Sequence, residues 1–544
     1  MNIEERVYFL RRKLKTGLVF IGMAAMLAGC GQGAGAAAEE MTAITEEITA
    51  SSTEQTALIE GAVNIMLSDE EIIVDGEAIS ENAEDAVYAA NDIVYYEEGK
   101  DFKYGEGTEA DAHSKEEADA HTVIHITKPG TYAVSGKISA GQIAVDLGEE
   151  AEEDPEAVVT LILNGVEINC SVAPGVIFYN VYECGSDAED TATKDVDTSA
   201  AGANVVIADG SVNHVNGSYV ARIYKSIELS EDGTKVVDNK KLHKYDAAFY
   251  SKMSMNVNGG EKGTGILNIH AENEGLDSEL HLTINGGDVN IVSGNDGINT
   301  NEDNVSVTTI NGGTLNIRVD GSTGEGDGID SNGWLVINGG TVIAEGCSFS
   351  MDAGIDSDKG IHINGGTVIA TGNMLDHISE SVQNYAVFTF ADKPESGTSI
   401  TLKDADGNEI VSYAPENSFT YLIFSNEAMA DGMYTLWAGD EQLSGAEGEG
   451  MGGFPRKPGG FKPGNFEPGK MPEDFRPESI DPNNAPGGMT PPEGGQGPQG
   501  GGRPNGGGFG GGRGDRGQAE AVEVSKEFAI SAGGNYFTFV GTEK

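Results

Sequence analysis

The chain has 544 residues and carries 33 Lys and Arg against 88 Asp and Glu, a formal net charge of −55. Such an excess of anions argues against nucleic acid or an anionic membrane surface as a direct partner, because phosphate binding needs clustered cations. Length alone leaves both a set of ordinary domains and one elongated β architecture open.

The N-terminus, MNIEERVYFLRRKLKTGLVFIGMAAMLAGCGQG, places Arg11, Arg12, Lys13 and Lys15 ahead of an apolar run from Thr16 to Ala28. That run is too short to span a bilayer, and its basic flank is that of an export signal. Ending in Leu27-Ala28-Gly29-Cys30, it resembles the bacterial lipoprotein signal. The resemblance implies removal of residues 1–29, lipidation of Cys30 and anchoring to the extracytoplasmic face of the cell membrane through that lipid. Cleavage would remove five basic and two acidic side chains, making the mature chain more acidic still.

Residues 30–62 are small, polar and acidic without an apolar period, and are expected to form a flexible tether. From about Val63 to residue 445 the pattern changes to short β runs separated by Gly, Asn and Asp, such as TVIHITKPGTYAVSGKISAGQIAVDL and AVVTLILNGVEI. Two polar insertions interrupt it, near Gly185–Ala201 and Ser226–Tyr245. Cys170, Cys184 and Cys347 show no metal-binding spacing; Cys170 and Cys184 could pair after export.

An internal repeat organises the centre of the chain. Asn-Gly-Gly recurs at Asn258, Asn285, Asn311, Asn338 and Asn364, a nearly constant period of about 26 residues. An apolar anchor, Phe249, Leu276, Ile298, Ile329 or Ile355, precedes each Asn at a fixed interval, lengthened by a short insertion in the Ile298 repeat. A unit this small cannot bury its own apolar face and must stack on its neighbours. The period predicts an all-β fold, a right-handed parallel β-helix with about one repeat per turn, in which equivalent residues lie about 4.8 Å apart. In LTING, LVING and IHING the pairs Leu282/Ile284, Leu335/Ile337 and Ile361/Ile363 are expected to point inward and Thr283, Val336 and His362 outward. The five Asn are expected to stack as a hydrogen-bonded ladder, with Gly-Gly supplying the turn.

Downstream, SITLKDADGNEIVSYAPENSFTYLIFSNEAMADGMYTLWAGDEQ reads as β structure without the repeat, suited to covering an exposed edge. Residues 446–518 are rich in Gly and Pro and are expected to be a disordered loop. EFAISAGGNYFTFVG, within 519–544, reads as a closing strand that returns to the body.

No H-E-x-x-H, G-x-S-x-G or Walker loop is present, so no residue is assigned a catalytic role on motif grounds. The acids beside the anchors carry the candidate chemistry. The residue after the anchor is Asp277, Asn299, Asp330 or Asp356, and an acid precedes it as Glu274, Asp296, Asp327 or Asp352. Carboxylates about 4.8 Å apart repel by roughly 3 to 4 kcal/mol at an effective dielectric of 20. Calcium, bound at about 2.3 to 2.6 Å, bridges oxygens at nearly the stacking distance. Asp296, Asn299, Asp327, Asp330, Asp352 and Asp356 are therefore the candidate Ca²⁺ ligands. Ordinary turn capping by Asp and Asn is the competing explanation. An acidic glycan could approach so anionic a chain through bound cations. Neutral sugars would want aromatic platforms, for which Trp334 and Tyr250 are the candidates.

The segments GTYAVSGKISAGQIAVDL and LILNGVEI, the repeated DGIDS…INGGTVIA and the late SFTYLIFSNEAMADGMYTLWAGD together resemble the clostridial-type carbohydrate-binding β-helix proteins, over roughly residues 63–445. The resemblance implies a right-handed parallel β-helix similar in shape to pectate lyases, a cell-surface location, Ca²⁺ sites and binding of polysaccharide, including acidic polymers. A non-catalytic, monomeric binder is the reading it favours. The alternatives are a structural or adhesion protein and a Ca-dependent polysaccharide lyase. A lyase needs a base beside the acids, for which Lys359, Lys252 and Arg318 are the candidates.

Overall fold

A computed structural model describes residues 58–447 and 524–539. The signal peptide with Cys30, most of the tether and nearly all of the Gly/Pro-rich segment lie outside the described residues. The described chain is all-β: its α-helix is a short piece, Lys115–Asp119, capped by Ser114 and Glu117.

The repeat places each unit on three columns of parallel strands. The first runs through Met255–Gly259, His281–Ile284, Val307–Ile310, Trp334–Ile337 and Gly360–Ile363, in the register Val257, Ile284, Ile310, Ile337, Ile363. The second runs through Ile266–Ala271, Asp288–Ser293, Thr314–Val319, Thr341–Glu345 and Thr367–Gly372, stacking Ile269, Ile291, Ile317, Ala344 and Ala370. Both belong to a 22-stranded sheet and are extended upstream by Ala203–Ile207 and Val212–Gly217, each of which pairs in turn with the long strand Val159–Asn169. The third column is an eight-stranded sheet whose register aligns Ile124, Ile143, Val176, Phe249, Leu276, Ile298 and Ile329, followed by a bridge to Ile355. Every anchor in that row is buried, and the three columns share one continuous apolar core.

The rows explain why aliphatic β-branched residues recur: each packs on its own equivalent above and below, so a single side-chain shape repeats along the stack. Leu282, Ile284, Leu335, Ile337, Ile361 and Ile363 enter the core as the alternation predicts. Thr283, Val336 and His362 face the other way yet are only 6%, 5% and 8% exposed. Over the first of them lies the segment around Thr198, whose Oγ1 donates to Asn256 Oδ1 at 2.7 Å and sits 2.7 Å from Thr283 Oγ1. The second polar insertion is an antiparallel hairpin, Val220–Leu229 with Val236–Tyr245. It brings Val220, Ile223 and Tyr245 into a smaller apolar cluster with Ala144, Ile177 and Tyr250 of the third column.

Column three is also spaced unevenly in sequence. The first column advances in near-equal steps from Met255 through Leu282, Thr308 and Leu335 to Ile361. In the third, the step from Leu276 to Ile298 is short and the step from Ile298 to Ile329 is long. The strand at Ile298 comes early and the long step after it brings Ile329 back onto the period, so the irregularity cancels within two repeats.

At the far end, Tyr421–Asn426 pairs antiparallel with Thr367–Gly372, and Tyr385–Phe390 pairs antiparallel with it. Gly534–Phe539 returns to lie parallel to Tyr385–Phe390. These strands bury an aromatic-rich core of Phe388, Phe424, Phe528, Phe537 and Phe539. Cys170, Cys184 and Cys347 are free thiols, so the disulfide considered for Cys170 and Cys184 is not formed; burial pushes Cys170 up to about 12.

The Asn ladder is continuous. Asn285, Asn311, Asn338 and Asn364 each donate Nδ2 to Oδ1 of the preceding Asn, at 2.9, 2.8, 2.8 and 2.7 Å. A second ladder, not read from the sequence, links Asn316 to Asn290 at 2.8 Å and Asn290 to Asn268 at 3.3 Å on column two. The glycine closing each turn is positioned by backbone contact: Gly340 has φ +82°, and a Cβ there would sit 2.7 Å from Gly313 O. Gly340→Ala should therefore destabilise by roughly 1 to 3 kcal/mol through the left-handed backbone alone, with the clash adding to it. Chemical denaturation of wild type and variant measures this; an unchanged midpoint would count against a rigid turn.

Candidate functional site

The acids gather on the face of the eight-stranded sheet turned away from the core. The register that buries the anchors puts Tyr250, Asp277, Asn299, Asp330 and Asp356 in one column immediately after them. Two residues ahead of the anchor the column reads Ala247, Glu274, Asp296, Asp327 and Ala353.

This corrects one assignment. Asp352 stands three residues before its anchor, not two, so Ala353 holds the position equivalent to Asp327. Gly297 N donates to Asp327 O, and in the next rung Gly328 N donates to Ala353 O. The Asp352 carboxylate instead accepts from Gly326 N at 2.7 Å and from the Ser350 hydroxyl, which makes it a turn cap.

Asp327, Asp330 and Asp356 do converge. One carboxylate oxygen from each lies within 4.8 Å of the others. All three are half-buried, and burial raises their pKa values to about 9, 7 and 7, neighbouring carboxylates adding to the rise. Asp296 joins them from the preceding rung, raised by burial to about 7, while Asp327 N donates to its Oδ1 at 2.6 Å. Asp376, absent from the sequence reading, completes the group: burial raises it, and it shares a hydrogen bond with Asp356. It belongs to a segment without the Asn-Gly-Gly repeat, so no alignment on anchors could find it.

Upstream the column closes over. Glu274 and Asp277 are covered, and burial pushes both carboxyls well up. Asn299 Nδ2 donates to Glu274 Oε1 at 3.3 Å and to Asn301 Oδ1 at 3.0 Å. Asn299 Oδ1 and Glu274 Oε2 are buried without a hydrogen-bond partner. From the hairpin, Lys244 enters beside them with Nζ 2.6 Å from Asp246 Oδ2. Burial opposes its charge, but Asp246, Glu274 and Asp277 outweigh that effect and its pKa is raised. A lysine thus supplies the positive charge at the closed end of the column.

The remaining sequence candidates separate. Tyr250 is 2% exposed, packed edge-on against Tyr245 at 5.1 Å, with its hydroxyl donating to Glu279 Oε1 at 2.6 Å. The hairpin covers it, so it presents no ring face to a sugar. Trp334 is half-buried at the start of its strand, with Lys359 Nζ 5.8 Å from its ring centroid. Lys252 lies three rungs from Asp330 and is held by Glu152 at 2.6 Å and Asn180 at 3.0 Å. Arg318 sits on the second column, paired with Glu416 at 3.1 Å. Among the three candidate bases, Lys359 alone adjoins the acid cluster in the chain, in the bend between Asp356 and the strand Gly360–Ile363.

The donor set is uniformly hard oxygen, without His or thiolate, which suits calcium and does not suit zinc or copper. Orphaned oxygens of Asn299 and Glu274 also fit a cation in the column. Asp327, Asp330 and Asp356 would hold it, with Asp296 and Asp376 nearest to complete the shell.

Architecture and site define an acidic, all-β protein of stacked repeats with an oxygen-lined cluster on one sheet. A model of the carbohydrate-binding domain-containing protein family matches residues 120–406, more than half of the chain, and the protein belongs to that family. A search of the curated proteins finds no match. Among solved structures, the polysaccharide lyase-like protein from C. thermocellum, in a gadolinium derivative, is similar at 19% identity. That alignment covers 56% of this chain and 92% of the other, with a TM-score of 0.32.

The raised carboxyl pKa values fix a sign for pH dependence. Between the unfolded value near 4 and the folded values of about 7 to 9, the folded state binds more protons than the unfolded state, so stability falls as pH rises. In chelator, the unfolding midpoint should therefore drop by several degrees from pH 5 to pH 8, and Asp330→Asn should flatten that slope. Calorimetry at the two pH values checks both; a midpoint that climbs with pH would refute the assignment.

Proposed function

We propose that this protein binds polysaccharide without transforming it, and takes acidic glycans through calcium held by Asp327, Asp330 and Asp356. The observation that carries the calcium part is the convergence of three half-buried carboxylates within 4.8 Å. Among the described residues, no lysine or arginine forms an ion pair with any of them. Ionised together they would repel strongly; protonated they could not hold a glycan carboxylate. Bound calcium would supply the positive charge that lets a uronate carboxylate approach. The backbone does the positioning: Ala353 N donates to Asp327, and Ser357 N donates to Asp376 at 3.2 Å, aiming both carboxylates within the cluster.

We further infer that the three columns wind as a right-handed parallel β-helix. Successive strands of each column are parallel and joined through the other two columns, and parallel crossovers are right-handed in nearly all cases. The lipoprotein signal would tether this body as a monomer through Cys30, on the outer side of the membrane. Replacement of Cys30 by Ala should release the protein into the soluble fraction, checked by fractionation and immunoblotting.

The test of binding is retention on immobilised polygalacturonate with and without calcium, with absorbance of unsaturated product followed in the same samples. Retention should require calcium, vanish in EDTA and weaken at least ten-fold in Asp330→Asn and Asp356→Asn, with no product formed. Product formation lost in Lys359→Ala would establish the lyase reading instead, since Lys359 follows Asp356 in the chain by three residues. Equal retention in EDTA would refute the role of calcium.

A further inference from the structure

The acids occupy the eight-stranded sheet, but a groove also runs along the repeat on the 22-stranded one. About 700 Å³ in volume, it runs across the strands beside the Asn ladder, from Asn204 to Asn364. Its floor is the outward row of the first column, Asn256, Thr283, Thr309 and Val336, in direct register. One wall is the segment Lys194–Ser199, fixed at its base by Thr198. Asn364 also lines a smaller recess of about 350 Å³ bounded by Gln383, Asn384 and Glu427, which prolongs the track past the last regular rung.

We propose that this groove is a second glycan site, one that binds an extended, uncharged polysaccharide segment along the Asn ladder without calcium. The proposal rests on the carbohydrate-binding reading above and assigns it a place and a ligand class.

Three features carry it. The first is shape: five steps between strands, at about 4.8 Å each, make a straight track about 24 Å long, which fits a linear chain and not a single sugar or a coiled polymer. The second is hydrogen-bonding chemistry. A primary amide has two N–H donors and two acceptor lone pairs, and the ladder consumes one of each. Asn285, Asn311 and Asn338 are exposed, so every rung offers one N–H and one lone pair at the pitch of the stack. Sugar hydroxyls, both donors and acceptors, match that offer.

The third is charge. In a chain of net charge −55 the groove is nearly neutral. Its carboxylates are Asp195, paired with Lys194 at 2.9 Å, and Asp197, whose Oδ1 accepts from Ser199 N at 3.0 Å. Its lysine is paired with Asp195, the acid group that could hold a metal lies on the other sheet, and nothing in it repels an uncharged chain.

Affinity electrophoresis of the purified protein in EDTA, through gels containing mixed-linkage β-glucan, glucomannan or soluble starch, tests this. The extended glycans should retard the protein and the coiled starch should not. Thr309→Arg, which fills the floor, and Asn311→Ala, which removes an exposed amide, should each weaken retardation at least ten-fold while leaving calcium-dependent retention on polygalacturonate intact. Asp330→Asn should do the reverse. The calorimetric midpoint of Thr309→Arg, expected near wild type because Thr309 is only partly buried and takes no part in the ladder, excludes misfolding as the cause. Retention on polygalacturonate with no retardation by any neutral glycan would overturn the groove proposal alone. Retardation unchanged in both groove variants would also overturn it, by placing the neutral site elsewhere. Failure to bind any polymer would overturn the carbohydrate-binding reading as well.

Discussion

Parallel stacking at one strand spacing per repeat is the constraint on which the rest of this molecule depends. It converts a position in the sequence into a line in space: whatever residue type recurs once per repeat in the first column becomes a row of like groups at nearly constant separation. For aliphatic anchors the row is a core, for Asn it is a hydrogen-bonded ladder, and for Asp it is an electrostatic problem. Fold and site are two results of one period, read on opposite faces of the same strands.

The protein meets that electrostatic problem in two ways along a single column. At the upstream end the hairpin buries Glu274 and Asp277 and brings Lys244 against Asp246. At the downstream end Asp327, Asp330 and Asp356 face each other, with no lysine paired to them among the described residues. Desolvation dominates every raised pKa there, so exclusion of water matters more than the neighbouring charges. Covering the column therefore decides its charge state, and at its upstream end the polar hairpin that looked like an interruption of the repeat is what covers it.

Much of this was legible in the sequence because periodicity survives without knowledge of tertiary contacts. The spacing of Asn258 to Asn364 predicted the ladder, the alternation in LTING and its equivalents predicted the core pairs, and the residue after the anchor predicted Asp330 and Asp356 as neighbours. Three things were not legible, each for a physical reason. Asp352 looked equivalent to Asp327 because a one-residue shift is invisible without the backbone register that pairs Ile329 with Ile355. Tyr250 looked exposed because the hairpin that covers it, beginning at Val220, precedes it in the chain and lies outside the repeat. Asp376 went unseen because it reaches the cluster from a segment that has left the repeat.

The Asn ladder is also directional. Every Nδ2 donates toward the preceding repeat, from Asn364 back through Asn285 to Asn258, which in turn donates to Val205 O at 3.2 Å. Such a row has a head and a tail, and each step along it is the same as the last. A polymer lying on it would find several registers of nearly equal energy, related by a shift of one rung. Degeneracy of this kind strengthens binding by RT ln n, about 0.8 kcal/mol for four registers, without any new contact. It also lets a bound chain creep along the protein by exchanging one amide for the next, so that attachment need not mean immobility.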